Sequence, residues 1–147
     1  DGNGLFYNHL EVLIVSDGCC NGNEWKAFDV SLIPCLRELQ VGNHCFRCVE
    51  EVRMVGMNAL EKVVIGDICF SSRGDWADNS ANNRFFLKDC ERLRELKIGS
   101  NSCNDYSVCE IEDLPLLEVI AVGELNEEAY NFYYASLELK GDSQRMK

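Results

Sequence analysis

The stretch LRELQVGNHCF, Leu36 to Phe46, is written almost again as LEKVVIGDICF from Leu60 to Phe70 and as LRELKIGSNSC from Leu93 to Cys103. A weaker copy, LEVIAVGELN, begins at Leu117, and an earlier one begins at Leu10. Taking the opening leucine of each copy as position zero, Leu10, Leu36, Leu60, Leu93 and Leu117 stand 26, 24, 33 and 24 residues apart. A period of this length is the mark of a solenoid, in which each repeat is one coil that buries its apolar face only against its neighbours.

The pattern inside a copy predicts the local structure. Leu13, Leu39, Val63, Leu96 and Ile120 stand at position three, and Val15, Val41, Ile65, Ile98 and Val122 at position five. The result is L-x-x-L-x-[VI], whose alternation is that of a strand with one buried face. Ser16, Gly42, Gly66, Gly99 and Gly123 follow at position six, where the chain turns or neighbouring backbones approach closely. A second alternating segment lies upstream, with Phe28, Val52, Phe85 and Cys109 eight residues before zero and Val30, Met54, Leu87 and Ile111 six before. Ile33, Met57, Cys90 and Leu114, three before zero, complete the inward set. Each coil is therefore expected to carry two strands, with a further strand at Leu137 and Leu139. Buried apolar side chains contribute roughly 1.5–3 kcal/mol each, but only stacked coils can bury them.

Position one carries Glu11, Arg37, Glu61, Arg94 and Glu118, alternating in sign from coil to coil. Parallel, in-register stacking would set these side chains about 4.8 Å apart on neighbouring strands, where opposite charges stabilise.

With its strand motif and the G-x-x-C-F that follows Val41 and Ile65, the chain resembles the leucine-rich repeat family. It is most similar to the irregular class of bacterial surface proteins and protist families, and Cys90, Leu93, Leu96, Ile98 and Gly99 carry the match best. The likeness spans about Leu10 to Val122. It implies a mainly β solenoid of about five coils, with parallel strands on two faces, little helix and protein binding as the activity. The asparagine of the commonest repeat of that family is replaced here by glycine in its neighbourhood, so the family's standard asparagine ladder is not expected.

The composition narrows the partner. Of 147 residues, 46% are apolar, enough for a core, so disorder is set aside. Fourteen basic residues against 25 acidic ones give a net charge of −11, which repels nucleic acid and anionic membranes at long range. No run is long and apolar enough to insert in a membrane, and no signal peptide opens the chain. It begins at Asp1 without a methionine, so a single solenoid that is part of a longer protein is expected. Nine cysteines, an odd number without the spacing of a secreted disulfide scaffold, favour a reducing compartment.

No catalytic constellation is apparent, and no enzyme activity, cofactor or metal is expected. Only His9 and His44 are present, and His44 should project opposite to Cys45. Cys19, Cys45 and Cys69 share position nine, continued by Ser102. A reduced core ladder is one reading of that column. Zinc at Cys45, Cys48 and Cys19-Cys20 is another, but a second correctly spaced pair is missing, and a disulfide is the third.

The remaining candidate site is the strand face. Val12, Glu38, Lys62, Glu95 and Val119 occupy position two, and Ile14, Gln40, Val64, Lys97 and Ala121 position four. Of these, Glu38, Gln40, Lys62, Val64, Glu95 and Lys97 are expected to meet a protein partner, with Ile14 and Val64 as exposed aliphatics. A merely solvated sheet is the alternative. The longest coil inserts about nine residues, read as a surface loop over 71–83. Its Trp76 either anchors the partner or folds back on the flank, and its Arg73-Gly74-Asp75 matches an adhesion tripeptide too short to weigh. The rival function is structural: uncapped terminal coils that stack end to end into an array or filament.

Overall fold

The computed structural model describes residues 9–71, 83–104 and 106–123, together with the backbone of 136–140. Its strands are β1 (Val12–Val15), β2 (Ala27–Asp29), β3 (Glu38–Val41), β4 (Glu51–Val55), β5 (Lys62–Ile65), β6 (Arg84–Lys88), β7 (Glu95–Ile98), β8 (Val108–Glu112), β9 (Val119–Val122) and β10 (Ser136–Lys140). Helix among the described residues is limited to one 3-10 turn, Val30–Leu32, capped by the Asp29 side chain, which accepts from the Ser31 N–H at 3.0 Å. The protein is mainly β, as the alternating pattern predicts.

Two five-stranded parallel sheets result, ordered β1-β3-β5-β7-β9 and β10-β8-β6-β4-β2. Strands adjacent in sequence thus lie in different sheets, and strands one coil apart pair. The register is that of the repeat: Leu39 pairs with Leu13 and Val63, and Leu96 with Val63 and Ile120. Met54 pairs with Leu87, 33 residues on, so the insertion is absorbed without a slip. The expected strand at Leu137 and Leu139 is β10, which pairs with β8.

The core lies between the sheets as columns of like side chains. Leu36, Leu60 and Leu93 are fully buried, as are Leu39, Val63 and Leu96, with Val41, Ile65 and Ile98 beside them. The second sheet contributes Val52, Phe85 and Cys109 and then Met54, Leu87 and Ile111. Phe46 and Phe70 stack face to face with centroids 5.1 Å apart, and Phe28 and Tyr106 pack at the two ends of this pair. Tyr106, unforeseen in the sequence, is buried and donates its hydroxyl to the Val49 carbonyl at 2.5 Å.

Three columns shape the corner after each first-sheet strand. A Cβ on Gly66 would stand 2.5 Å from Asn43 Oδ1 and 2.8 Å from the Gly42 carbonyl carbon and oxygen, so glycine here serves close approach of coils. One position on, the Asp17, Asn43 and Asp67 Oδ1 atoms accept from the N–H of Asn43, Asp67 and Ser100 at 2.7, 2.8 and 2.9 Å. This carboxylate and amide ladder ties the first four coils together, one residue after the glycine column. At position nine, Cys45 and Cys69 Sγ donate to the Ser16 and Gly42 carbonyls at 3.1 and 2.9 Å, and Ser102 Oγ donates to Gly66 O at 2.7 Å.

Residues on either side of that thiol column adopt left-handed backbone without being glycine: His44, Ile68 and Asn101 before it, Phe46, Phe70 and Cys103 after it. Each such residue costs about 1–2 kcal/mol. The kink turns successive N–H groups to opposite neighbours. His44 donates to Asp67 O of the following coil at 2.9 Å, and Phe46 donates to Cys19 O of the preceding coil at 3.2 Å. Paired backbone offsets the strain.

At the ends the expectation needs correction. Ile33 and Leu114 are half-buried rather than core. Ile120 and Val122 occupy inward positions yet are 42% and 36% exposed, because among the described residues β9 has a coil against it on one side only.

Candidate functional site

The outer face of the first sheet gathers the side chains that the sequence assigns to partner binding. Lateral pairing runs Val12, Glu38, Lys62, Glu95, Val119 in one row and Ile14, Gln40, Val64, Lys97, Ala121 in the next. Each strand alternates, so its other two residues point into the core and hold these ten on a rigid sheet.

The charges of this face bind one another. Lys62 Nζ sits 4.0 Å from Glu38 and 3.9 Å from Glu95, and Lys97 Nζ lies 2.7 Å from Glu95 Oε1. Gln40 donates to Glu38 at 2.7 Å. The hydrogen bond from Lys97, aided by the charge of Lys62, holds the Glu95 carboxyl below its ordinary value. Just before the strands, Arg37 meets Glu61 at 3.0 Å and Arg94 meets Glu118 at 2.9 Å. The alternating column therefore pairs across coils at these two junctions, one residue ahead of the strands rather than inside them. Exposed pairs of this kind contribute about 0–1 kcal/mol each.

A shallow, open groove of about 410 Å³ follows these two charged columns across the coils, lined by Glu11, Val12, Arg37, Glu38, Glu61, Lys62, Arg94 and Glu95. Of the exposed aliphatics, Val12 lines the groove, and Ile14 and Val119 lie on the outer strands β1 and β9. Ile14 is 64% exposed, Val12 46% and Val119 44%. Val64, expected to be exposed like Ile14, is half-buried because Gln40 and Lys97 shield it from both sides.

Other predicted residues fall elsewhere. Trp76 and Arg73-Gly74-Asp75 lie outside the described residues, although Ser71 and Asn83, the bounds of the inserted stretch, are both buried. His44 is exposed while Cys45 is fully buried, so the two do not meet. Burial pushes the Cys69 thiol up to about 11, which favours the neutral side chain of a core ladder.

Sequence reasoning overlooked the outer face of the second sheet. There Phe86 lies beneath Arg53 and Lys88, whose charged groups are 5.5 and 5.2 Å from the ring centroid. Lys88 pairs with Glu110, whose hydrogen bond raises the lysine above its ordinary value. The alternation R-F-F-L-K over 84–88 carried that signal, since Phe86 falls on the outward phase.

Comparison of the chain with protein-family models, with curated proteins and with solved structures found no match. The two parallel sheets and the repeat register nonetheless make it a solenoid-like repeat protein.

Proposed function

We propose that this is a recognition module of the leucine-rich repeat kind, binding a protein partner across the outer face of β1, β3, β5, β7 and β9. The observation that carries the reading is the combination, on one rigid sheet, of exposed Val12, Ile14 and Val119 with a mixed-charge centre at Glu38, Lys62, Glu95 and Lys97. Aliphatics supply area to bury, and fixed charges supply register and selectivity. Contacts spread over several coils suit an extended partner surface better than a small ligand.

Charge reversal at Glu38 and Lys97 should abolish partner capture while leaving the fold intact. A photo-crosslinking residue at Gln40 or Val64 should label that partner, and one at Glu112 on the opposite sheet should not. Labelling from Glu112 alone, or capture unchanged in a folded double variant, would move the site off this face.

A further inference from the structure

The corner that follows β1 reads DGCCNGNEW over 17–25, and at its centre stands the dipeptide Asn21-Gly22. Asparagine before glycine is the pairing most prone to deamidate itself, because a residue without a Cβ lets its backbone nitrogen reach the asparagine Cγ. Here the reacting side chain is clamped. Asn21 Nδ2 donates to Gly18 O of its own coil at 3.0 Å and to His44 O of the next coil at 2.8 Å, while Oδ1 accepts from the Arg47 N–H at 2.9 Å. Gly22 is held as well, since its carbonyl accepts from the Trp25 N–H at 3.1 Å. The Glu24 carboxylate fills the space where a Cβ on Gly22 would stand.

From this geometry we infer that Asn21-Gly22 is a self-modification site gated by the stacking of coils: inert while the first corner is clamped to the second coil, and converted irreversibly once that corner opens. The reaction needs only water. The Gly22 nitrogen gives up its proton and bonds to Asn21 Cγ, and the Cγ–Nδ2 bond breaks, so that Nδ2 leaves with a further proton as ammonia. Water then opens the cyclic imide at either carbonyl and leaves aspartate or isoaspartate. For Cγ to meet the Gly22 nitrogen, the amide must leave His44 and Arg47. Conversion therefore follows the population of the open corner.

The product cannot restore the clamp. An aspartate at position 21 has no N–H for the Gly18 and His44 carbonyls and turns a negative charge toward both of them. An isoaspartate, in addition, lengthens the main chain by one methylene. The neighbouring ties, Gly18 N–H to Asn43 O at 2.8 Å and Phe46 N–H to Cys19 O at 3.2 Å, then lose the side chain that closes the corner around them. Opening of the first coil is thereby recorded in the covalent structure.

Peptide mapping by mass spectrometry tests this on the full chain after incubation in mildly alkaline buffer with and without urea. In urea Asn21 should convert ahead of the asparagines that no glycine follows, and alongside Asn3, whose neighbour Gly4 makes it the chemical reference. Without urea Asn21 should convert at least about tenfold more slowly than with it. Gly22→Ala, whose methyl displaces only the flexible end of Glu24, should suppress the conversion in urea. After refolding, the deamidated chain should exchange the amide hydrogens of Gly18 and Phe46 faster than the unmodified chain, with Gly99 unchanged. Asn21→Asp, made directly, should show the same faster exchange. Conversion as fast without urea as with it, conversion in urea no faster than at asparagines lacking a following glycine, or unaltered exchange in both the refolded product and Asn21→Asp would overturn the proposal.

Discussion

The interior strands β3, β5 and β7 and the outer strands β1 and β9 follow one inward pattern and differ outward. Inward, Leu39, Val63 and Leu96 are fully buried, whereas Ile120 at the same position is 42% exposed. The side chain is equivalent and only its neighbours have changed. Burial in a solenoid belongs to the stack of coils, not to the residue.

That contrast breaks most visibly in the core. Leu96→Ala should cost about 2–5 kcal/mol in urea unfolding, because it opens a cavity between two coils. Ile120→Ala should cost less than half as much, and equal losses would mean that β9 is covered as fully as β7. Next comes the glycine column. Gly66→Ala should cost about 1–3 kcal/mol by pushing coils apart. Ser16 shows the same rule from the other side, since it keeps a Cβ where no described coil precedes it.

The third test uses pH. Burial pushes Cys69 and Cys90 up to about 11 and Cys109 up to about 12, from an ordinary value of 9.0. A folded-state value above the unfolded one means the stabilisation is whole below pH 9 and is lost as pH rises toward 11–12. Alkaline titration of stability should therefore fall from about pH 9 upward, and Cys109→Ala should flatten the slope. Thiol reagent should reach exposed Cys35 in the native protein and Cys69, Cys90 and Cys109 only on unfolding. The smallest effect belongs to the surface ion pairs. A double-mutant cycle on Arg37 and Glu61 should return about 0–1 kcal/mol, diminishing with salt.

Much of this fold was legible in the sequence because side-chain period and coil period are both geometric. The alternation fixed which side chains face inward, and the shared position within each copy fixed the pairing of Glu38 with Lys62 and of Lys62 with Glu95 across offsets of 24 and 33 residues. The Asp17, Asn43 and Asp67 ladder was not legible, since the same letters are common in turns and only coordinates show where Oδ1 points. Tyr106 escaped for a related reason. Its hydrogen bond to Val49 spans 57 residues, a separation that matches neither the alternation within a strand nor the offset between neighbouring copies. Likewise, sequence placed Ile14 and Val64 on one face but could not see that only Val64 has neighbours on both sides. The partner-binding role we propose for that face rests on its chemistry, whereas its geometry follows from the stacking itself.

Nuclear Overhauser contacts between isotopically resolved strands test the stacking most directly. Backbone protons of Val63 in β5 should show contacts to Leu39 in β3 and Leu96 in β7, 24 and 33 residues away. Contacts from β5 to β4 in a hairpin pattern, with none to β3 or β7, would contradict the coil-on-coil arrangement.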